Sequence, residues 1–155
     1  MRQINFYQTS KALMDKTIFA LIEKCYLSAA KVLVFTGSAQ ITEHINKLLW
    51  TFSQKKFIPH GSDQDDFPEK QPIYISNELN NLNEAQVLII IDQNMDILDL
   101  EQAKKFEKII FIYDRENNEL KITNDLLSSG KYREVEMNHY IQSDNGNWSS
   151  QKTQN

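Results

Sequence analysis

The chain is poor in glycine, and its four glycines lie far apart at Gly37, Gly61, Gly130 and Gly146. Phosphate-binding loops need closely spaced glycines, because the backbone must approach the anion at several neighbouring positions. Neither a G-x-G-x-x-G nor a G-x-x-x-x-G-K spacing occurs here. The sequence therefore argues against a phosphate-binding loop, and we expect no bound nucleotide or other cofactor.

Cysteine and histidine are also scarce. The single cysteine, Cys25, cannot form an internal disulfide, and its apolar helical surroundings predict a buried, reduced thiol of the kind found in cytoplasmic proteins. The three histidines, His44, His60 and His139, are not at metal-ligand spacing. We therefore expect no metal site and a cytoplasmic protein.

Long hydrophobic segments are absent as well. The longest apolar run, residues 87–91, is far shorter than the roughly 20 residues that span a bilayer. The first residues lead directly into a strand-like pattern, without a secretory signal. A net charge of -4 argues against a general attraction to nucleic acid, so that a DNA contact would need a local basic patch. These features predict no membrane partner and only indirect contact with DNA.

Apolar strands alternate with helical periodicity along the chain. Residues 32–35, 87–91 and 109–113 are continuously apolar, as expected for strands that are buried on both faces. Residues 13–29 and 41–52 repeat their apolar positions at helical spacing. A length of 155 residues fits one domain. The pattern predicts an α/β domain with a largely parallel central sheet flanked by helices.

The C-terminal part of the chain has a different pattern of apolar and polar residues. Residues 135–141 alternate apolar and polar side chains, which predicts a final edge strand. Residues 143–155 are rich in serine, asparagine and glutamine. We assign the α/β domain to residues 1–142 and expect residues 143–155 to form a polar, flexible tail.

The segment of residues 49–61 combines aromatic and cationic side chains. Trp50 and Phe57 are large, rigid anchors of the kind that protein interfaces favour, and Lys55 and Lys56 lie between them. The segment therefore predicts a surface for a short peptide that combines carboxylates with an aromatic end. The alternative is that Trp50 and Phe57 close the core beneath a loop.

Two further groups of residues admit a functional interpretation. Lys131 and Arg133 flank a tyrosine and form a second cationic group, although a solvated helix end is the better explanation of these residues alone. Asp92 and Asp114 follow central strands, where α/β enzymes often build their sites. An α/β enzyme or nucleotide-binding switch is therefore the alternative function, but a helix cap or loop-solvating role explains both acids.

The same segment resembles a known family. Leu49-Trp50 followed by Phe57-Ile58-Pro59-His60-Gly61 is similar to the chi subunit of bacterial DNA polymerase III. Residues 6–7, 71–75, 87–92 and 109–113, together with Trp148, follow in the family's order. The resemblance covers most of the chain and implies a Rossmann-like fold without a nucleotide-binding motif.

The resemblance also implies a function. Chi is a non-catalytic accessory of the clamp-loader assembly of the replicative polymerase, and it binds the acidic C-terminal tail of single-stranded DNA-binding protein. A second surface of the family binds the psi subunit, so that psi or another clamp-loader component is a further expected partner. Trp50 and Phe57 match family residues of the tail site, which also uses basic residues on a late helix.

The late basic group departs from the family pattern. Residues 125–133 lack the Ala-Arg pair that is usual there. Lys131 and Arg133 are the cations available to replace it, beside Lys55 and Lys56. The resemblance thus implies a peptide-binding site made of Trp50, Phe57 and these four cations.

Overall fold

A computed structural model describes residues 2–91, 95–116 and 134–152. Within these residues, eight strands form one sheet in the order β3-β4-β2-β5-β6-β1-β7-β8. All neighbouring strands are parallel except β7 and β8, which are antiparallel. Helices flank the sheet, so that the predicted α/β class and the Rossmann-like architecture are confirmed.

The bounds of the elements follow from the sequence patterns with small shifts. The strands are β1 (Arg2–Thr9), β2 (Val32–Phe35), β3 (Gly61–Ser62), β4 (Ile73–Ser76), β5 (Val87–Ile91), β6 (Lys108–Asp114), β7 (Val135–Gln142) and β8 (Trp148–Lys152). The helices are α1 (Met14–Leu27), α2 (Ala39–Thr51) and α3 (Glu101–Lys104), with short 3-10 turns between some elements.

The sheet is covered on both faces, which explains its continuous apolar strands. Every residue of β5 is buried. One face packs against α1 and α2 through residues such as Ile18, Ile22 and Ile45. The other face packs against the segment containing α3, with Phe6, Phe106 and Phe111 among its buried side chains. A parallel sheet with two covered faces needs apolar side chains at successive positions, and not the alternation of a half-exposed strand.

The start of helix α2 is fixed by the residue that precedes it, Ser38. Ser38 has an extended backbone, and its Oγ accepts a hydrogen bond from the Ile41 N–H at 3.2 Å. This side chain satisfies one of the free N–H groups at the helix start. From there, helical periodicity buries Ile45 and Leu49 and directs Trp50 away from the core.

The structure corrects two details of the prediction. Residues 99–107 have the pattern of a short amphipathic helix with Leu100, Ala103 and Phe106 pointing inward. Helix α3 has only four residues, and Leu100 is 45% exposed, whereas Ala103 and Phe106 are buried as the pattern predicts. Strand β7 is not an edge strand, because β8 pairs with it inside the segment expected to be a flexible tail. The domain boundary at residue 142 itself stays a prediction.

None of the helices in the described ranges combines the length and the apolar character that a membrane span requires.

Candidate functional site

The structure brings Trp50 and Phe57 together on the surface. Their ring centroids are 5.4 Å apart, with an angle of 39° between the ring planes. Trp50 is 56% exposed and Phe57 is 61% exposed. An aromatic pair that closes the core would be buried, so the geometry favours a surface role for both rings.

Local structure explains why both rings point outward. Trp50 lies in the last turn of α2, beside Leu48 and Leu49, which are buried in the core. Phe57 immediately precedes Ile58, whose side chain enters the core. In the segment between α2 and β3, Ile58 is buried, and the preceding Phe57 stays on the surface. We call the exposed surface formed by Leu27, Trp50, Phe57, Lys55 and Lys56 the aromatic surface.

Leu27 belongs to this surface although sequence reasoning did not select it. It is 74% exposed at the C-terminal end of α1. It lines a shallow cavity of about 280 Å³ together with Glu23, Tyr26, Lys56, Phe57 and Ile58. Its position outside the apolar stripe of α1 was the available signal. That Leu27 shares a cavity with Phe57 depends on tertiary packing, which the sequence does not show.

The two lysines of the surface differ in their surroundings. The Lys56 Nζ forms an ion pair with Glu23 Oε1 at 3.2 Å. Lys55 is exposed, and its ammonium has no ion pair within the part of the chain that the structure describes. Lys55 is therefore available to an incoming carboxylate, whereas Lys56 must first share or release Glu23.

Lys131 and Arg133, the other two predicted cations, lie outside the described residues. Strand β7, which begins at Val135, is separated from β4 by five strand-to-strand steps in the sheet, or roughly 24 Å at about 4.8 Å a step. Helix α2 packs beside β3 and β4. Among the described residues, Trp50 and Phe57 are in contact, and Lys56 lines a cavity with Phe57. Lys55 precedes Lys56 in the chain, and the late basic group stays a prediction.

Of the two acids of the alternative enzyme hypothesis, the structure describes Asp114. Asp114 ends β6 and accepts a hydrogen bond from the Glu116 N–H at 3.1 Å, a local turn contact. Asp92 lies outside the described residues. Across residues 2–91, 95–116 and 134–152, no three His, Cys, Asp or Glu side chains cluster in a way that could hold a metal ion. Cys25 is buried, and burial raises the pKa of its thiol, which disfavours a reactive thiolate.

Together these features define a Rossmann-like α/β domain that has an exposed aromatic pair and lacks closely spaced glycines for a phosphate loop. Residues 1–136 match the family model described as DNA polymerase III chi subunit, HolC. The chain is also 41% identical over 145 residues to "Probable DNA polymerase III subunit chi" of Rickettsia prowazekii (strain Madrid E), which covers 94% of this chain and 83% of that protein.

The chain therefore belongs to the DNA polymerase III chi subunit family. The resemblance predicted from residues 49–61 is confirmed. The protein is an accessory subunit of a polymerase that replicates DNA.

Proposed function

We propose that this subunit is a non-catalytic adaptor that links the clamp-loader assembly to single-stranded DNA-binding protein by binding the acidic C-terminal tail of that protein. The observation that supports this most is the exposed Trp50–Phe57 pair. On this account the adaptor works in the cytoplasm and meets DNA only indirectly, through its partner.

The apolar part of the aromatic surface suits the aromatic residue at the end of such a tail. Phe57 and Leu27 form apolar walls of the cavity beside Trp50. Rigid aromatic side chains lose little conformational entropy on binding, so they contribute much of the energy of small interfaces. A disordered tail loses entropy on docking, and we expect an affinity on the order of micromolar.

The charged part would attract the carboxylates of the tail. Lys55 offers an ammonium without an ion pair to any described residue. The Lys56 side chain is 59% exposed, whereas that of its partner Glu23 is 21% exposed. A carboxylate of the tail can therefore reach the Lys56 ammonium, which it would share with Glu23. We keep Lys131 and Arg133 in the proposed rim as the cations of the late segment.

We keep psi or another clamp-loader component as a second proposed partner, at a surface separate from the tail site, as the family resemblance implies. Because a mostly apolar contact responds weakly to salt and a carboxylate contact responds strongly, salt dependence indicates which kind of contact a partner makes.

Trp50→Ala tests the aromatic surface directly. We expect this variant to bind a labelled acidic peptide ending in Pro-Phe at least about tenfold more weakly, because it removes a central aromatic anchor. Its melting temperature should change little, since more than half of the side chain is exposed. Fluorescence anisotropy gives the affinity and circular dichroism gives the melting temperature.

Phe67→Ala is the matched control. Phe67 is an exposed aromatic residue whose ring contacts Lys70, outside the aromatic surface. This variant should bind the peptide like the wild type. If Trp50→Ala is folded and binds with unchanged affinity, Trp50 does not belong to the tail site.

A further inference from the structure

The exposed ring of Trp50 is held from two sides. Beyond Phe57, it contacts His60, with ring centroids 4.8 Å apart and an angle of 59° between the planes. A tryptophan on the end of a helix that lacked such neighbours would sample several rotamers. The two contacts restrict this ring while leaving more than half of the side chain accessible.

His60 is itself firmly anchored. Its Nδ1 lies 2.7 Å from the Ile58 carbonyl oxygen. Because a carbonyl only accepts hydrogen bonds, Nδ1 carries the proton and donates. Ile58 is buried in the core, Pro59 has a restricted φ angle, and Gly61 opens strand β3, which pairs with β4. The imidazole therefore sits on a rigid part of the fold.

The other ring nitrogen of His60, Nε2, shows that the imidazole is packed against its neighbours. Nε2 is shielded from solvent and has no hydrogen-bond partner among the described residues. A polar atom left in this state lowers stability, because it loses its bonds with water. A histidine whose role was only to support the fold would gain from turning Nε2 toward water. Its retention beside Trp50 points to a role for the ring contact.

We propose that His60 is a positioning residue that holds the Trp50 ring in its docking orientation. The inference rests on the proposed function, in which Trp50 receives the aromatic residue of the partner. Fixing the ring beforehand reduces the entropy lost on binding, which strengthens the affinity without adding a contact to the partner. His60 itself need not touch the bound peptide.

Two variants separate the ring contact from the anchoring hydrogen bond. His60→Ala removes both. His60→Asn retains an N–H donor at the place of Nδ1, and thus the bond to Ile58, but lacks the rest of the ring. Both are made in a Trp148→Phe background, so that Trp50 gives the single indole N–H signal in ¹⁵N NMR relaxation measurements.

We expect both variants to show increased motion of the Trp50 indole on the nanosecond timescale or faster. Their affinity for the acidic peptide ending in Pro-Phe should fall by about threefold to tenfold, as for the loss of one aromatic contact. His60→Asn should keep the melting temperature of the background protein. Lower affinity without lower stability is a result that a purely structural role would not give.

An unchanged indole order parameter in folded His60→Ala overturns the proposal, whether or not the peptide binds. Increased indole motion with unchanged peptide affinity also overturns it, since positioning would then have no effect on docking. If the background protein binds no peptide, while the indole becomes mobile in both variants, the proposed tail function fails and the positioning of Trp50 by His60 stands.

Discussion

His139 shows at the scale of one residue how far sequence reasoning reaches. The sequence marks it as an interruption of the apolar face of β7. The structure buries it and places its Nε2 2.7 Å from the hydroxyl of Tyr113, which lies on β6. The two residues are 26 positions apart, so no local pattern could predict their contact. A buried polar group requires such a partner, but the sequence does not say which one.

The burial of His139 predicts how stability depends on pH. Burial lowers the pKa of its imidazole from 6.5, so the unfolded state binds the proton more tightly than the folded state. Stability should therefore be full above about pH 6.5 and decrease as the pH falls below it. In urea unfolding at pH 7.5 and 5.5, His139→Gln should lose less stability on acidification than the wild type.

Glutamine is a suitable replacement because its side-chain amide can donate or accept a hydrogen bond at the place of Nε2, whichever role the Tyr113 hydroxyl requires. The variant thus removes the titration and retains a hydrogen-bond partner for Tyr113. Equal losses of unfolding free energy in the two proteins between the two pH values would contradict the assignment of this pH dependence to His139.

At the scale of an element, α2 was predicted well in its middle and poorly at its end. Ile45 and Leu49 are buried, as the periodicity indicates. Phe52, which the same stripe includes, is 44% exposed and stacks on Phe19 with ring centroids 4.6 Å apart. Phe52 is the C-terminal cap of the helix; it keeps helical dihedral angles, and its N–H donates to the Leu48 carbonyl oxygen, so its direction still follows the stripe. Its exposure depends on what packs over the end of the helix, which periodicity does not give.

The start of α2 gives a prediction for the whole helix. Ser38→Ala removes the side-chain oxygen that accepts the Ile41 N–H. We expect a loss of about 1 kcal/mol in the free energy of unfolding, the usual effect of deleting an N-terminal cap. Chemical denaturation measures it. The affinity of the aromatic surface should be unchanged, because Trp50 lies at the other end of the helix.

Ser10→Ala is the control for this cap. Ser10 precedes a short 3-10 helix, and its side chain makes no capping hydrogen bond. Its replacement should therefore affect stability less than Ser38→Ala. Equal effects of the two substitutions would show that the Ser38 hydroxyl does not stabilise α2 through the observed bond.

Strand β8 is an element that the amino-acid composition of its segment does not predict. Its serine- and glutamine-rich sequence predicts a tail. Pairing with β7 gives its backbone a partner, and the Trp148 ring contacts the Tyr7 ring edge-on, with centroids 5.6 Å apart. Tertiary contacts thus outweigh a weak intrinsic preference for strand.

At the scale of the whole molecule, the class of the fold was predictable and the order of its strands was not. Continuous apolar runs such as β5 and β6 indicate burial on both faces, but any buried strand has this pattern. The insertion of β1 between β6 and β7 depends on long-range pairing.

The same limit applies to the candidate site. Trp50 and Phe57 are close in sequence and were predicted together. The contribution of Leu27 could be recognised only in the packed fold.

The distribution of charge bears on the adaptor hypothesis at this scale. A net charge of -4 repels an acidic tail at long range. Docking therefore requires that local attraction by cations such as Lys55, together with apolar contact at Trp50 and Phe57, outweighs this repulsion. Salt weakens the contacts between exposed charges and leaves the apolar contact largely intact.

The most direct test is a fluorescence-anisotropy titration of the protein with a labelled acidic peptide ending in Pro-Phe, at low and at high salt. The adaptor hypothesis predicts binding on the order of micromolar at low salt, weaker binding at high salt, and loss of binding when the terminal Phe is removed. Absence of binding at low salt would contradict it: the protein would then be a member of the chi family that does not bind this tail.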